Sequence, residues 1–204
     1  MCGCTHTHDR VDRENQIRFL PLDFLYCHPV RADVYAWLLE NGMPEEEYRW
    51  FMRHGLHRRC IMGNDYYAEN ERILRHDDTA AEVGEVFGWY LVTREYYERY
   101  RKPLMHTETN PRGKCDPVHW LWKQWQNLLR MRAEGAPVLG FTWYSLTDQV
   151  DWDTGLREPN GTVNPVGLYD LDRKIRPVGE AYRALIEEFR GLSLLPNSDP
   201  LGLL

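Results

Sequence analysis

The chain of 204 residues contains no run that approaches the roughly 18 apolar residues needed to cross a membrane. Its opening stretch, Met1-Cys-Gly-Cys-Thr-His-Thr-His8, has no hydrophobic segment of the signal-peptide kind. Basic residues are also short: 25 Lys and Arg against 31 Asp and Glu leave a net charge of -6. No basic stripe is therefore available for a phosphate backbone, which excludes nucleic acid as a partner and favours a neutral or weakly polar one. The chain reads as soluble and cytoplasmic, with no membrane partner. Neither GxGxxG nor GxxxxGK[ST] occurs, so no glycine-rich phosphate loop is present. Cysteines are few and odd in number, at 2, 4, 27, 60 and 115, which excludes a disulfide scaffold and implies reduced thiols. Cys2, Cys4, His6 and His8 crowd together at every second residue, whereas structural zinc sites set their ligand pairs about 12 or more residues apart. Residues 1–16 are therefore expected to be a disordered or scar-like segment, with no metal and no cofactor.

Aromatic residues are abundant. Eight Trp and twelve Tyr stand in a chain that is 43% hydrophobic, enough to bury a core. Such rings line carbohydrate sites, where the apolar face of a sugar packs on an aromatic plane, and they also fill cores and helix interfaces. Hydrophobic periodicity predicts helices over Pro29 to Gly42 and from Pro44 to Gly55, then a strand over Cys60 to Tyr67. A helix from Val83 to Arg101, a strand over Pro103 to Glu108 and a helix opened by Asp116-Pro117 follow. Val138 to Ser145 is a third strand, residues 148–165 a polar loop, and Pro177 opens a last amphipathic helix. The tail from Gly191 to Leu204 is expected to be irregular.

Strand and helix alternate, and each strand ends in residues able to do chemistry. This pattern predicts an α/β fold with a parallel sheet, either a (β/α) barrel or a doubly wound sheet, and the missing phosphate loop argues for the barrel. Glu108 ends a short apolar strand just before Thr109-Asn110-Pro111 takes the chain out of the sheet, so its carboxylate should face the cavity at the strand ends.

Pro103-Leu-Met-His-Thr-Glu-Thr-Asn110 resembles the P-L-x-I-T-E-N-G strand of glycoside hydrolase family 1, the retaining β-glycosidases. Met62-Gly-Asn-Asp-Tyr-Tyr67 is similar to its G-x-N-Y-Y strand, and Gly140-Phe-Thr-Trp-Tyr-Ser-Leu-Thr-Asp-Gln-Val-Asp-Trp152 to its G-Y-x-x-W-S-L-x-D-N-x-E-W segment. Phe19 to Tyr26, Val166 to Asp172 and Arg176-Pro177 carry fainter likenesses, so the resemblance runs over about residues 17–190. It implies Glu108 as nucleophile, Tyr67 as the hydrogen-bond donor to it, and Asp65, Trp143, Tyr144, Asp151 and Trp152 as sugar contacts. Three swaps stand against the family pattern: Asp65 for an asparagine, Tyr144 for the stacking tryptophan with Trp143 one place earlier, and Asp151 for a glutamate.

The family's acid/base lies in an Asn-Glu-Pro, and none occurs here. The single Asn-Glu, Asn70-Glu71, falls at a different place in the order, where Glu71 reads either as a displaced acid or as a solvated helix start. The resemblance thus implies the C-terminal βα units of a (β/α)8 TIM barrel, an incomplete barrel lacking its N-terminal half. It implies hydrolysis of β-glycosides by a retaining mechanism in carbohydrate metabolism, with a catalytically inactive remnant or sugar-binding module as the alternative. Three strands cannot close a barrel, so self-association or association with a missing N-terminal half is also expected.

Overall fold

The computed structural model describes residues 3–55, 60–77 and 79–192. Cys2 and residues 193–204 lie outside the described residues, as do the side chains of Cys4 and His6 in the terminal cluster.

Three parallel strands form the centre, β1 (Met62–Asn64), β4 (Leu104–His106) and β5 (Val138–Phe141), in the order β1-β4-β5. Met62 pairs with Leu104 and Leu104 with Val138, and all three side chains are buried. Helix α5 (Gly88–Tyr100) carries the chain from β1 to β4, α6 (Pro117–Ala133) from β4 to β5, and α7 (Pro177–Phe189) follows β5. The doubly alternating pattern of the sequence is thus realised as βαβαβα with a parallel sheet. Among the described residues the sheet has no fourth strand and no closed barrel forms.

Helix α6 starts where the sequence places it. The Asp116 carboxylate accepts from the His119 amide at 2.7 Å, and Pro117 takes the first turn, where its missing N–H costs nothing. Periodicity puts Val118, Leu121, Trp122, Trp125, Leu128 and Leu129 on one face, whereas the structure buries Trp120, Leu121, Gln124, Trp125, Leu128 and Met131 and leaves Trp122 exposed. The buried Trp120 indole donates to the Thr109 hydroxyl at 2.8 Å, which holds that residue on the inner side.

Helix α5 also begins later than expected, at Gly88 rather than Val83. Between β1 and α5 the chain makes a hairpin, β2 (Arg72–Leu74) with β3 (Ala80–Glu82), that periodicity does not reveal because its strands have three residues each. Val86 and Phe87 are left exposed, and Gly88 enters the helix with a positive φ of 75°.

Residues expected to be disordered or scar-like instead form helix α1 (Gly3–Ile17), and nothing between Gly3 and Pro21 breaks a helix. It packs against α3 (Ala32–Glu40), and Asp12 bonds Arg31 at 2.5 Å just before that helix. Between them α2 (Leu20–Leu25) places Asp23, which is 1% exposed, against α5. Its two oxygens take Arg99 at 2.7 Å each and the Tyr100 hydroxyl at 2.7 Å, with His28 at 3.5 Å. This cluster joins the N-terminal helices, including α4 (Glu45–His54), to the strand-and-helix unit. A second small hairpin, β6 (Gln149–Val150) with β7 (Val163–Asn164), shapes the polar loop before α7.

Candidate active site

The C-terminal ends of β1, β4 and β5 carry the residues singled out by the sequence. Glu108 lies two residues past β4 and Tyr67 three past β1. The Tyr67 hydroxyl donates to Glu108 Oε2 at 2.9 Å. Tyr67 is buried and Glu108 half-buried. Burial, then the bond to Glu108, push the Tyr67 phenol above its ordinary value, so it stays protonated and acts as a donor.

Backbone and side chains around Glu108 are pinned on three sides. The Tyr66 amide donates to Glu108 O at 2.9 Å, extending the β1–β4 ladder beyond the strands. Thr109, fully buried, donates its hydroxyl to Tyr66 O at 2.7 Å and accepts from the Trp120 indole at 2.8 Å. Asn110 donates through Nδ2 to Tyr144 O at 2.7 Å, while Oδ1 accepts from the Arg112 amide at 2.8 Å. The Tyr144 amide in turn donates to Thr109 O at 3.1 Å. The carboxylate-bearing loop is therefore tied to the end of β1, to α6 and to the end of β5. Thr109, Asn110 and Trp120 were not candidates from sequence, though the Thr-Asn after Glu108 marks the place where they act.

The expected sugar contacts other than Asp151 divide between two cavities. One, of about 680 Å³, is lined by Asn110, Arg112, Trp143, Tyr144, Trp152 and Arg176 among others. Asp65 and Tyr67 line the other, of about 1280 Å³, and Arg112 borders both. Glu108 lines neither, its carboxylate being turned to Tyr67. Tyr144 and Trp152 are brought together, with ring centroids 6.2 Å apart, and Trp152 is exposed. The Tyr144 hydroxyl accepts from Gln149 Nε2 at 2.6 Å. Trp143 is buried, its indole donating to Val166 O at 2.9 Å.

Two carboxylates expected at the sugar are turned to local partners. Asp65 accepts from the Thr107 hydroxyl at 2.6 Å, and Asp151 accepts from the Gly161 amide at 2.6 Å across its own loop. Asp151 itself sits in the left-handed region at φ 61°.

Glu71 is neither a solvated helix start nor placed as a proton donor. It is buried, and it accepts from the Tyr66 hydroxyl (2.6 Å) and from the amides of Val86 (3.0 Å), Phe87 (2.7 Å) and Gly88 (2.8 Å). These are the amides at the start of α5, so Glu71 closes that helix end from outside the helix. Burial opposes its ionisation, but the Tyr66 hydroxyl and the three amides outweigh it and hold the carboxyl below the ordinary carboxylate range.

No family model matches the sequence, and neither does any curated protein. Solved structures do match. The β-glucosidase from Thermotoga maritima in complex with castanospermine aligns with a TM-score of 0.63 at 17% identity, over 90% of this chain and 47% of that one. The fold is similar to that of part of a β-glucosidase. The deoxynojirimycin complex gives 0.60 at 16% identity over 84% and 44% of the two chains, and the family 1 β-glucosidase of the same organism gives 0.60 at 16% over 84% and 43%. The chain thus spans less than half the length of the structures it matches.

Proposed function

We propose that the chain is a β-glycosidase-related protein in which Glu108 is the nucleophile toward a β-glycoside. The observation that carries this reading is the 2.9 Å bond from Tyr67 to Glu108 at the ends of adjacent parallel strands, the end at which barrel enzymes hold their chemistry. The fold likeness supports it, since the matched β-glucosidase is held in complex with castanospermine and deoxynojirimycin. In the reaction, the Glu108 carboxylate attacks the anomeric carbon, the bond to the leaving oxygen breaks with its electron pair going to the leaving group, and a glycosyl ester forms. Water then replaces the carboxylate at the same carbon and releases its proton to solvent, so the two inversions give net retention. Tyr67 holds one Glu108 oxygen and leaves the other for attack. Tyr144 and Trp152 offer the aromatic surface a sugar ring would pack on.

The assay uses an aryl β-glycoside such as 2,4-dinitrophenyl 2-deoxy-2-fluoro-β-glucoside, or its galactoside counterpart, whose phenolate leaves without a proton. A burst of phenolate and a glycosyl adduct on Glu108 by mass spectrometry are expected. No adduct under saturating reagent refutes the assignment. The second reading, sugar binding without turnover, is favoured by one observation: Glu71, in the only Asn-Glu, is committed to α5 and Tyr66. Calorimetric binding of glucose, galactose or cellobiose without a burst would select it.

A further inference from the structure

We propose that Arg112 is a positioning residue for Glu108, acting through Tyr67; this rests on the reading of Glu108 as nucleophile. Arg112 and Glu108 stand four residues apart on one loop and grip the same ring. Glu108 takes the hydroxyl at 2.9 Å, and the Arg112 guanidinium carbon lies 4.7 Å from the ring centroid, over the face. A phenol held only at its hydroxyl can swing about its side-chain torsions. One held at hydroxyl and face has a fixed donor direction, and an aromatic face attracts a guanidinium by the charge distribution of its ring.

The rest of the loop places Arg112 for this contact. Its backbone takes the left-handed region at φ 45°, uncommon for a residue with a side chain, and its amide is tied to Asn110 Oδ1 at 2.8 Å. The guanidinium pairs with Glu69 Oε1 at 2.9 Å, and Lys114 stands 3.7 Å from the other Glu69 oxygen. Glu69 lies in the 3-10 turn Ala68–Asn70 that follows Tyr67 directly. Tyr67, Glu69 and Arg112 therefore close a loop of contacts: backbone from Tyr67 to Glu69, ion pair from Glu69 to Arg112, ring stack from Arg112 back to Tyr67. Arg112 is half exposed while Glu69 is only 14% exposed, and Lys114 still faces the Glu69 carboxylate when Arg112 is replaced. Thermal melting of each variant, recorded beside the labelling rate, separates an effect on Glu108 from a loss of folding. Arg112 borders both cavities, the larger of which Tyr67 also lines.

Two measurements test the assignment. The first needs no activity: the Arg112 side-chain δ protons should show an upfield ring-current shift in NMR spectra that disappears in Tyr67→Leu, and an unshifted Arg112 overturns the stack. The second follows the rate of dinitrophenolate release and Glu108 labelling by the 2-fluoro glucoside and galactoside in wild type, R112M, R112K, Y67F and Y67F/R112M. R112M should slow labelling about five- to tenfold, as expected for loss of about 1 kcal/mol of positioning. R112K should recover part of the loss, because a lysine keeps the charge over the ring. In the Y67F background the further cost of R112M should shrink toward none, since the hydroxyl that Arg112 aims is gone. An equal cost of R112M in both backgrounds overturns action through Tyr67. A wild type that shows the ring-current shift and takes no label refutes the nucleophile reading and the positioning role with it, and leaves the stack standing as a structural contact.

Discussion

Replacing Glu71 by glutamine separates the two meanings a glutamate after an asparagine can have in this sequence. Oε1 accepts from the Tyr66 hydroxyl and the Gly88 amide, and Oε2 from the amides of Val86 and Phe87. Glutamine has one carbonyl oxygen, so one of these pairs of donors would face an NH2 group. Hydrogen bonds to a charged group contribute about 1.5–3 kcal/mol each, and a buried donor left without an acceptor costs about 1–3 kcal/mol. Two lost bonds with partial relaxation give a destabilisation of about 3–5 kcal/mol, a large share of the roughly 5–15 kcal/mol typical of a folded domain. For a chain of this length that corresponds to a fall in Tm of about 10 °C. The carboxyl of the folded protein lies below its ordinary range, so the folded state binds fewer protons than the unfolded one. Its contribution is present above the unfolded value near 4.3 and is lost as pH falls below it. Thermal unfolding of wild type and Glu71→Gln, followed by circular dichroism at pH 7 and pH 4, should therefore show a gap that is wide at pH 7 and narrower at pH 4. A variant that melts within about 2 °C of wild type at pH 7 would refute the helix-end role.

Three further outcomes are expected. Tyr67→Phe removes a bond to a carboxylate and should slow labelling of Glu108 by roughly ten- to a hundredfold with little change in Tm; an unchanged rate would show that the bond does no work in the attack. Asp23→Asn strips the buried partner from Arg99 and should cost about 3 kcal/mol in denaturant unfolding, while a loss under 1 kcal/mol would mean that the α2–α5 cluster is not a main tie. His106 is fully buried and stacked on Trp89 with centroids 4.7 Å apart, and burial pushes its pKa down to about 3. It is thus neutral when folded and takes a proton when unfolded below about pH 6.5, so wild type should lose about 1.4 kcal/mol per pH unit below that point through this residue. In His106→Leu that component of the acid-side slope between pH 6.5 and 4.5 should vanish, and an unchanged slope would refute the assignment.

The strand and helix order was legible because the three central strands are short apolar runs and the helices carry proline starts, an aspartate cap and apolar stripes. Boundaries were less legible. Hairpin β2–β3 has strands of three residues, too short for an alternating pattern to stand out, and α5 starts at Gly88, where Glu71 accepts from the amides of the helix end. Helix α1 escaped because its residues carry no apolar stripe; it is held by packing against α3 and by the Asp12–Arg31 bond, which periodicity does not encode.

For the site, the order of residues determined which side chains stand at the strand ends, because the adjacent parallel strands β1 and β4 deliver the residues that follow them to the same end of the sheet. Local chemistry also put Thr109 and Asn110 where the chain must leave the sheet. Only the tertiary structure decided what those residues touch: Tyr67 reaches Glu108 across 41 positions. Asp65 and Asp151 turn to Thr107 and to the Gly161 amide, and Glu71 is spent on a helix end. Arg112 folds back over a ring that precedes it by 45 residues. Composition and spacing fix which groups are available, but a hydrogen bond needs its partners within about 3 Å, and that distance is set by packing between segments remote in sequence.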